Sequence, residues 1–392
     1  MSCIRSAALA FLLLPLLAAG ASGAFAAGLS DYGKGDEPWR KAFQRLGAAR
    51  EGKVRIVQIG DSHTAGDFFS DAARQVLQKA YGRGGIGFVY PAKPPAGTQL
   101  QTVSYRTSGW SVATSRRGKA EFPVGGVIAR SDAAGASVSL RPMPAYRSTE
   151  PQRVSVLLKG AAGAKALVSG EKGGEAAVSV GSAWQMVELP GCFTLPLTLS
   201  NASGGSLEVG AIGIESERPG VVYSAAGIPG GLLVDATRWR SGWAKDLSAM
   251  KPDLVVLSFG TNESFADAHH FPVYRKAWET VIDEVRREAP AAAVLIIGAP
   301  ETLASTAGKC GRRSKSLDRI QALQSSVAKA KGALFWSWEA DGMEGACSMK
   351  KWIGKGLAQK DGVHFTRAGY AASGRRFGEA LRVLFGDAAR KN

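Results

Sequence analysis

Residue types that together can transfer an acyl group stand far apart in this sequence. Ser62 lies in VQIGDSHTAGD, where an apolar run stops abruptly at Gly60-Asp61-Ser62-His63. Asp361 and His364 lie far downstream in DGVH. A serine hydroxyl becomes a nucleophile when a histidine takes its proton. A carboxylate three residues before that histidine can reach its Nδ1–H and hold the tautomer. Asn262, in FGTNES, offers a side-chain N–H to a developing oxyanion, beside the backbone N–H groups of Ser62 and of Gly230 in GIPGG. Each residue also has a plainer explanation. Ser62 could cap a helix, Asn262 could end a strand, and Asp361 could start the turn at Gly362. A cap needs no distant histidine, so the nucleophile reading of Ser62 is preferred. The other plain readings lose weight when the four sites are taken together.

Three further histidines compete with His364. His63 neighbours the serine and is expected to steady the turn or pack beside it. His269 and His270 follow GTNES and are expected near a cleft mouth. Glu263 could touch a substrate or anchor a neighbouring group, and receives no chemical role. Trp110 and Trp184 could stack on sugars, but are read as core.

The surrounding elements explain how these sites could meet. KVRIVQI reads as a buried strand, and DFFSDAARQVLQKAYG as a helix ending at Gly82. Four more apolar strands are expected near Val222, Val255, Leu295 and Phe335. Helical segments separate them, including VYRKAWETVIDEVRREAP and TRAGYAASGRRFGEALRVLFG. Strand–helix alternation with continuous apolar strands implies an α/β fold, a five-stranded parallel sheet covered on both faces. Loops at the carboxyl ends of its strands share one edge. From about Thr102 to Glu217 the texture changes to short alternating runs such as RVSVLLKG and FTLPLTLSN, separated by Gly, Ser, Asn and Pro. That predicts an antiparallel β-sandwich of jelly-roll type, inserted after the first strand. The stretch GRGGIGFVYPAKPP before it reads as a loop or a wall of the site. The expected division is 1–26 leader, 27–101 first α/β part, 102–217 sandwich, 218–392 second α/β part.

Composition narrows the partners. The chain has 392 residues, of which 45% are hydrophobic, enough for a sizeable core. Its formal charge of +16 suits an anionic partner. No zinc-finger spacing, RNP-like run or long basic helix points to nucleic acid, and none is expected as partner. MSCIRSAALAFLLLPLLAAGASGAFA has one Arg, an apolar stretch and Ala24-Phe25-Ala26, the pattern of a cleaved secretory leader. No other segment approaches the length of a membrane span, so no stable insertion is expected after cleavage. Cys3 would leave with the leader. Cys310 and Cys347 are the expected disulfide pair, which leaves Cys192 buried and free; spacing alone does not fix the pairing. No Cys/His cluster has metal-ligand spacing, and neither metal nor organic cofactor is implied.

GDSH, GIPG, GTNE and DGVH resemble, in order, the four sequence blocks of the SGNH or GDSL hydrolases. The extended GDSHTAGD block, the GGIGFV stretch, the GTNE variant and the inserted sandwich resemble the peptidoglycan O-acetylesterases of Gram-negative bacteria. That likeness implies a flavodoxin-like hydrolase interrupted by a carbohydrate-binding-module-like sandwich. It implies Ser62, Asp361 and His364 as catalytic residues, and Ser62, Gly230 and Asn262 as oxyanion donors. It implies a periplasmic enzyme that removes 6-O-acetyl groups from N-acetylmuramic acid in peptidoglycan glycan strands. Three positions depart from the usual blocks: His63 after the serine, Glu263 after the asparagine, and Pro229 before the oxyanion glycine. None removes a proposed donor. Two alternatives stay open: an acetyltransferase or acetylesterase acting on another bacterial polysaccharide, and a glycan-binding protein with a decayed site.

Overall fold

The computed structural model describes residues 28–33, 38–94, 98–267 and 270–386. The expected leader, Cys3 and His269 lie outside the described residues.

The central sheet is built from six strands: β1 (Leu29–Asp31), β2 (Lys53–Gly60), β3 (Gly220–Gly227), β4 (Leu254–Ser258), β5 (Ala293–Gly298) and β6 (Leu334–Ser337). Its order is β1-β6-β5-β4-β2-β3. β2 to β6 pair in parallel, and these are the strands expected near Ile56, Val222, Val255, Leu295 and Phe335. The expected five-stranded parallel sheet is corrected in one respect: β1 joins its edge antiparallel to β6, making a six-stranded mixed sheet. Three residues of LSD are too short to carry an alternation visible in the sequence.

Strand period sets the two faces of the sheet. Val54 and Ile56 of β2 point into one core, Val57 and Ile59 into the other. The first core is closed by helices α1 (Pro38–Ala49), α2 (Phe68–Tyr81) and, from the chain's end, α6 (Arg367–Arg382), through Phe43, Phe69, Leu77 and Phe377. The second is closed by α3 (Trp243–Ala249), α4 (Phe271–Glu288) and α5 (Leu317–Ala330). In α4 the buried side chains Tyr274, Trp278, Val281, Ile282 and Val285 form one apolar stripe at helical spacing. The helix stops before Pro290, whose ring disfavours helical backbone at Ala289.

Residues between β2 and β3 also form two antiparallel sheets, ordered 175–179, 165–170, 197–201, 137–142, 103–108 and 185–188, 153–160, 207–215, 127–131, 111–114. Val156, Leu158, Leu197, Leu199 and Ile212 belong to the core between them. Gly85–Val89 is a further strand, paired antiparallel with Leu207–Glu215. It lies in the stretch read as loop or site wall, and the loop reading is corrected. Its glycines serve close packing rather than a turn: Gly87 has φ of +87°, and a Cβ there would stand 2.6 Å from Ser224 Oγ.

Cys310 and Cys347 are disulfide-bonded. Cys192, expected to be buried, is half-buried. Trp110 and Trp184 are half-buried and pack against the cores, as expected of them. Among the described residues no helix is long and apolar enough to cross a membrane.

Candidate active site

Three adjacent strands deliver three of the four sequence blocks to one edge. Gly60 of β2 pairs with Gly227 of β3 and with Ser258 of β4. The chain leaves all three strands at the same level, so Ser62, Gly230 and Asn262 follow neighbouring strand ends. Gly227 must be glycine here, because a Cβ would collide with Ala65 N and lie 2.6 Å from Asp61 O. Ser62 opens a single helical turn, Ser62–Ala65, capped by Asp61, whose side chain accepts from His63 N at 2.9 Å.

The fourth block arrives from the far end of the chain. Ser62 Oγ lies 3.1 Å from His364 Nε2, and His364 Nδ1 lies 2.7 Å from Asp361 Oδ2. The other carboxylate oxygen, Oδ1, accepts from the backbone N–H groups of Val363 at 2.9 Å and His364 at 3.0 Å. Partial burial opposes the charge on Asp361, but these hydrogen bonds and His364 outweigh it and hold the carboxyl below its usual range. The side chains of His364 and Asp361 are 37% and 43% exposed, so the imidazole is open to a small molecule and to water. The loop is anchored by Leu303 N donating to Gly362 O at 2.8 Å. Below it, Thr366 caps α6.

Gly227 ends β3 and Gly230 follows it, and their N–H groups differ. Gly227 N–H is engaged by the Tyr90 hydroxyl at 2.7 Å. The N–H groups of Ser62 and Gly230 make no backbone hydrogen bond among the described residues. Asn262 donates one side-chain hydrogen to Gly231 O at 2.9 Å, which orients the amide and leaves its second hydrogen for another acceptor.

Glu263, given no chemical role from the sequence, proves to be a clasp. It is buried, and its two oxygens accept from Leu233 N at 2.8 Å and Gly260 N at 3.1 Å. It therefore ties the loop carrying Gly230 to the loop carrying Asn262. Burial, with Asp61 nearby, pushes its carboxyl up to about 7. Burial likewise raises Asp61 to about 6, against hydrogen bonds from His63 and Thr261.

His63 is buried behind His364, with ring centroids 5.6 Å apart. Its Nδ1 lies 2.9 Å from the Tyr370 hydroxyl, and the rings of Trp338 and Phe365 enclose it. Burial and the neighbouring His364 lower its pKa to about 3, so it stays neutral and packs beside the serine turn. His270 is exposed at the start of α4, its ring 6.1 Å from Tyr274. Among the described residues no group of three or more His, Cys, Asp or Glu side chains could hold a metal ion.

A serine hydrogen-bonded to a histidine whose far nitrogen meets a carboxylate can carry out acyl transfer. Comparison with known proteins points the same way. Residues 84–198 match the family described as Peptidoglycan O-acetylesterase, N-terminal, and residues 212–372 match the GDSL-like Lipase/Acylhydrolase family. A solved structure titled "Peptidoglycan O-acetylesterase in action, 5 min" is 38% identical, with a TM-score of 0.84, covering 92% of this chain and 99% of that one. A family two carbohydrate esterase from Cellvibrio japonicus is 10% identical at a TM-score of 0.31, covering 73% of this chain and 98% of that one. That likeness is too slight to carry any argument. No curated protein sequence matches. With 38% identity over nearly the whole chain, and matches to both family descriptions, this chain belongs to the peptidoglycan O-acetylesterases, carboxylic ester hydrolases of SGNH type.

Proposed function

We propose that the protein is an exported serine esterase that removes 6-O-acetyl groups from N-acetylmuramic acid residues of peptidoglycan, working in the periplasm after loss of residues 1–26. The observation that carries the chemistry is the row Ser62–His364–Asp361, at 3.1 and 2.7 Å. With its proton on Nδ1, donated to Asp361, His364 accepts the Ser62 proton at Nε2 while Oγ attacks the acetyl carbonyl. The resulting oxyanion is held by the N–H groups of Ser62 and Gly230 and by the free hydrogen of Asn262. His364 then gives its proton to the departing sugar oxygen, leaving acetyl on Ser62. A water, deprotonated by the same imidazole, releases acetate and restores the serine. The engagement of Gly227 by Tyr90 supports Gly230 as the glycine donor.

We assign residues 27–101 and 218–392 to a flavodoxin-like hydrolase and 102–217 to an inserted jelly-roll module of carbohydrate-binding type. Gly85–Val89 is lent to that module's sheet by the hydrolase half. The parallel strands occur in the sheet in the order 2-1-3-4-5, which supports the hydrolase assignment.

Acetate release by the mature protein from O-acetylated peptidoglycan, beside acetylated xylan, tests the substrate. Release from peptidoglycan alone is expected. Equal release from xylan would overturn the substrate assignment, and transfer of acetyl to an added sugar acceptor would overturn hydrolysis.

A further inference from the structure

The face made by α2 and α6 carries an open groove of about 730 Å³ that the ester chemistry does not use. Phe68 and Lys79 line it from α2; Arg367, Arg375 and Arg382 line it from α6. The acids in its wall are already engaged. Asp71 meets Arg74 at 2.6 Å, and Glu379 meets Arg382 at 3.0 Å. Lys79, Arg367 and Arg375 are exposed and belong to none of the ion pairs among the described residues. Arg367 lies instead over the Phe68 ring, 4.8 Å from its centroid. Uncompensated cations in a concave wall concentrate positive potential and attract anions.

Their placement gives the groove a direction. Arg367 follows His364 by three residues. Arg375 and Arg382 come eight and fifteen residues later on the same helix, about 12 and 22 Å along its axis. The stripe therefore starts beside the candidate base and leads away from it. An acetyl ester is neutral and needs no cation at such distances. A polymer carrying carboxylates at intervals would.

We propose that this groove is an exosite for the peptide-stem carboxylates of a peptidoglycan strand whose acetylated sugar sits at Ser62. The inference rests on the function proposed above. It assigns Lys79, Arg367 and Arg375 to holding the polymer beyond the reacting residue.

The test is the full-length protein carrying Lys79→Glu and Arg375→Glu, both exposed positions outside the catalytic row. Lys79→Gln with Arg375→Gln serves as a milder pair, and thermal unfolding checks that each folds. Acetate release is compared on O-acetylated peptidoglycan and on 4-nitrophenyl acetate. The same changes in a Ser62→Ala background are compared by sedimentation with purified sacculi, which needs no turnover. Two reversed surface charges are expected to raise KM on the polymer about five- to tenfold with kcat retained. Sedimentation should weaken in parallel, the Gln pair should fall between, and hydrolysis of the small ester should not change. The wild-type advantage should fade as salt is raised. Equal sedimentation of the Ser62→Ala protein with and without the charge reversals would overturn the proposal. So would equal losses on both substrates, or lost binding to phosphatidylglycerol vesicles with sacculus binding retained. A Ser62→Ala protein that still released acetate would sink the esterase assignment instead, and the sedimentation comparison would still read the groove.

Discussion

The inserted module and the loop edge of the hydrolase sheet bury polar groups in opposite ways. Between the module's sheets, the buried Asn201 is neutral and its amide donates to Ser131 O and Gly205 O. The module's buried acid, Glu208, sits on the face opposite the core residues Leu207 and Val209 and lies 3.3 Å from the Lys159 ammonium. At the sheet edge, Asp61 and Glu263 are buried with no ion pair among the described residues, and His63 is buried beside them. Burying acids without a cation costs stability. The module is held by apolar burial. The edge gives up stability to keep three loops in one geometry, as sites commonly do.

That difference can be attacked from either side. Asp361→Asn should lower kcat about ten-thousand-fold, because the imidazole loses the partner that fixes its tautomer. The side chain is 43% exposed, so the melting temperature should hardly move. Unchanged kcat in steady-state hydrolysis of 4-nitrophenyl acetate would remove Asp361 from the chemistry. Leu199→Ala should do the reverse. Leu199 is 1% exposed in the module core, and its truncation should cost about 2–5 kcal/mol in denaturant unfolding. Small-ester kcat/KM at low temperature should stay within twofold of wild type, on the order of experimental scatter. A matching loss of small-ester activity would mean that module packing shapes the site directly.

The subtlest case is Glu263→Gln, read as stability against pH. Burial raises this carboxyl from 4.5 to about 7. The folded state then binds a proton that the unfolded chain releases, so stability is lost as pH rises through that window. Wild type should therefore lose ground to Glu263→Gln between pH 4.5 and 7, by on the order of 3 kcal/mol. Parallel stability curves for the two proteins would show that the buried carboxyl is not protonated as described.

What could be read beforehand follows the range of each interaction. The five parallel strands announced themselves because each is a continuous apolar run, and a run needs no partner to be seen. The meeting of Ser62, Asp361 and His364 was legible because motif spacing places them at element ends. Gly85–Val89 was misread because glycine signals a turn by local rules, whereas here it admits the close approach of Ser224. The helix Pro38–Ala49 and the strand Leu29–Asp31 were not anticipated. The strand is explained only by its antiparallel pairing with β6, a partner remote in sequence. His63 beside the serine turn was legible from its place in the chain, but the partners of Glu263 and His63 were not. One holds two loops through backbone N–H groups, and the other meets Tyr370 across 307 positions; no local pattern encodes either.

The central claim is that Ser62 carries the acetyl group between substrate and water. The direct measurement is a rapid quench of the wild-type protein with 4-nitrophenyl acetate, followed by mass analysis of the peptide containing Ser62. The account predicts a burst of product, one acetyl group on Ser62 of that peptide, and neither in Ser62→Ala. Turnover without a burst or acetylation, persisting in Ser62→Ala, would contradict it.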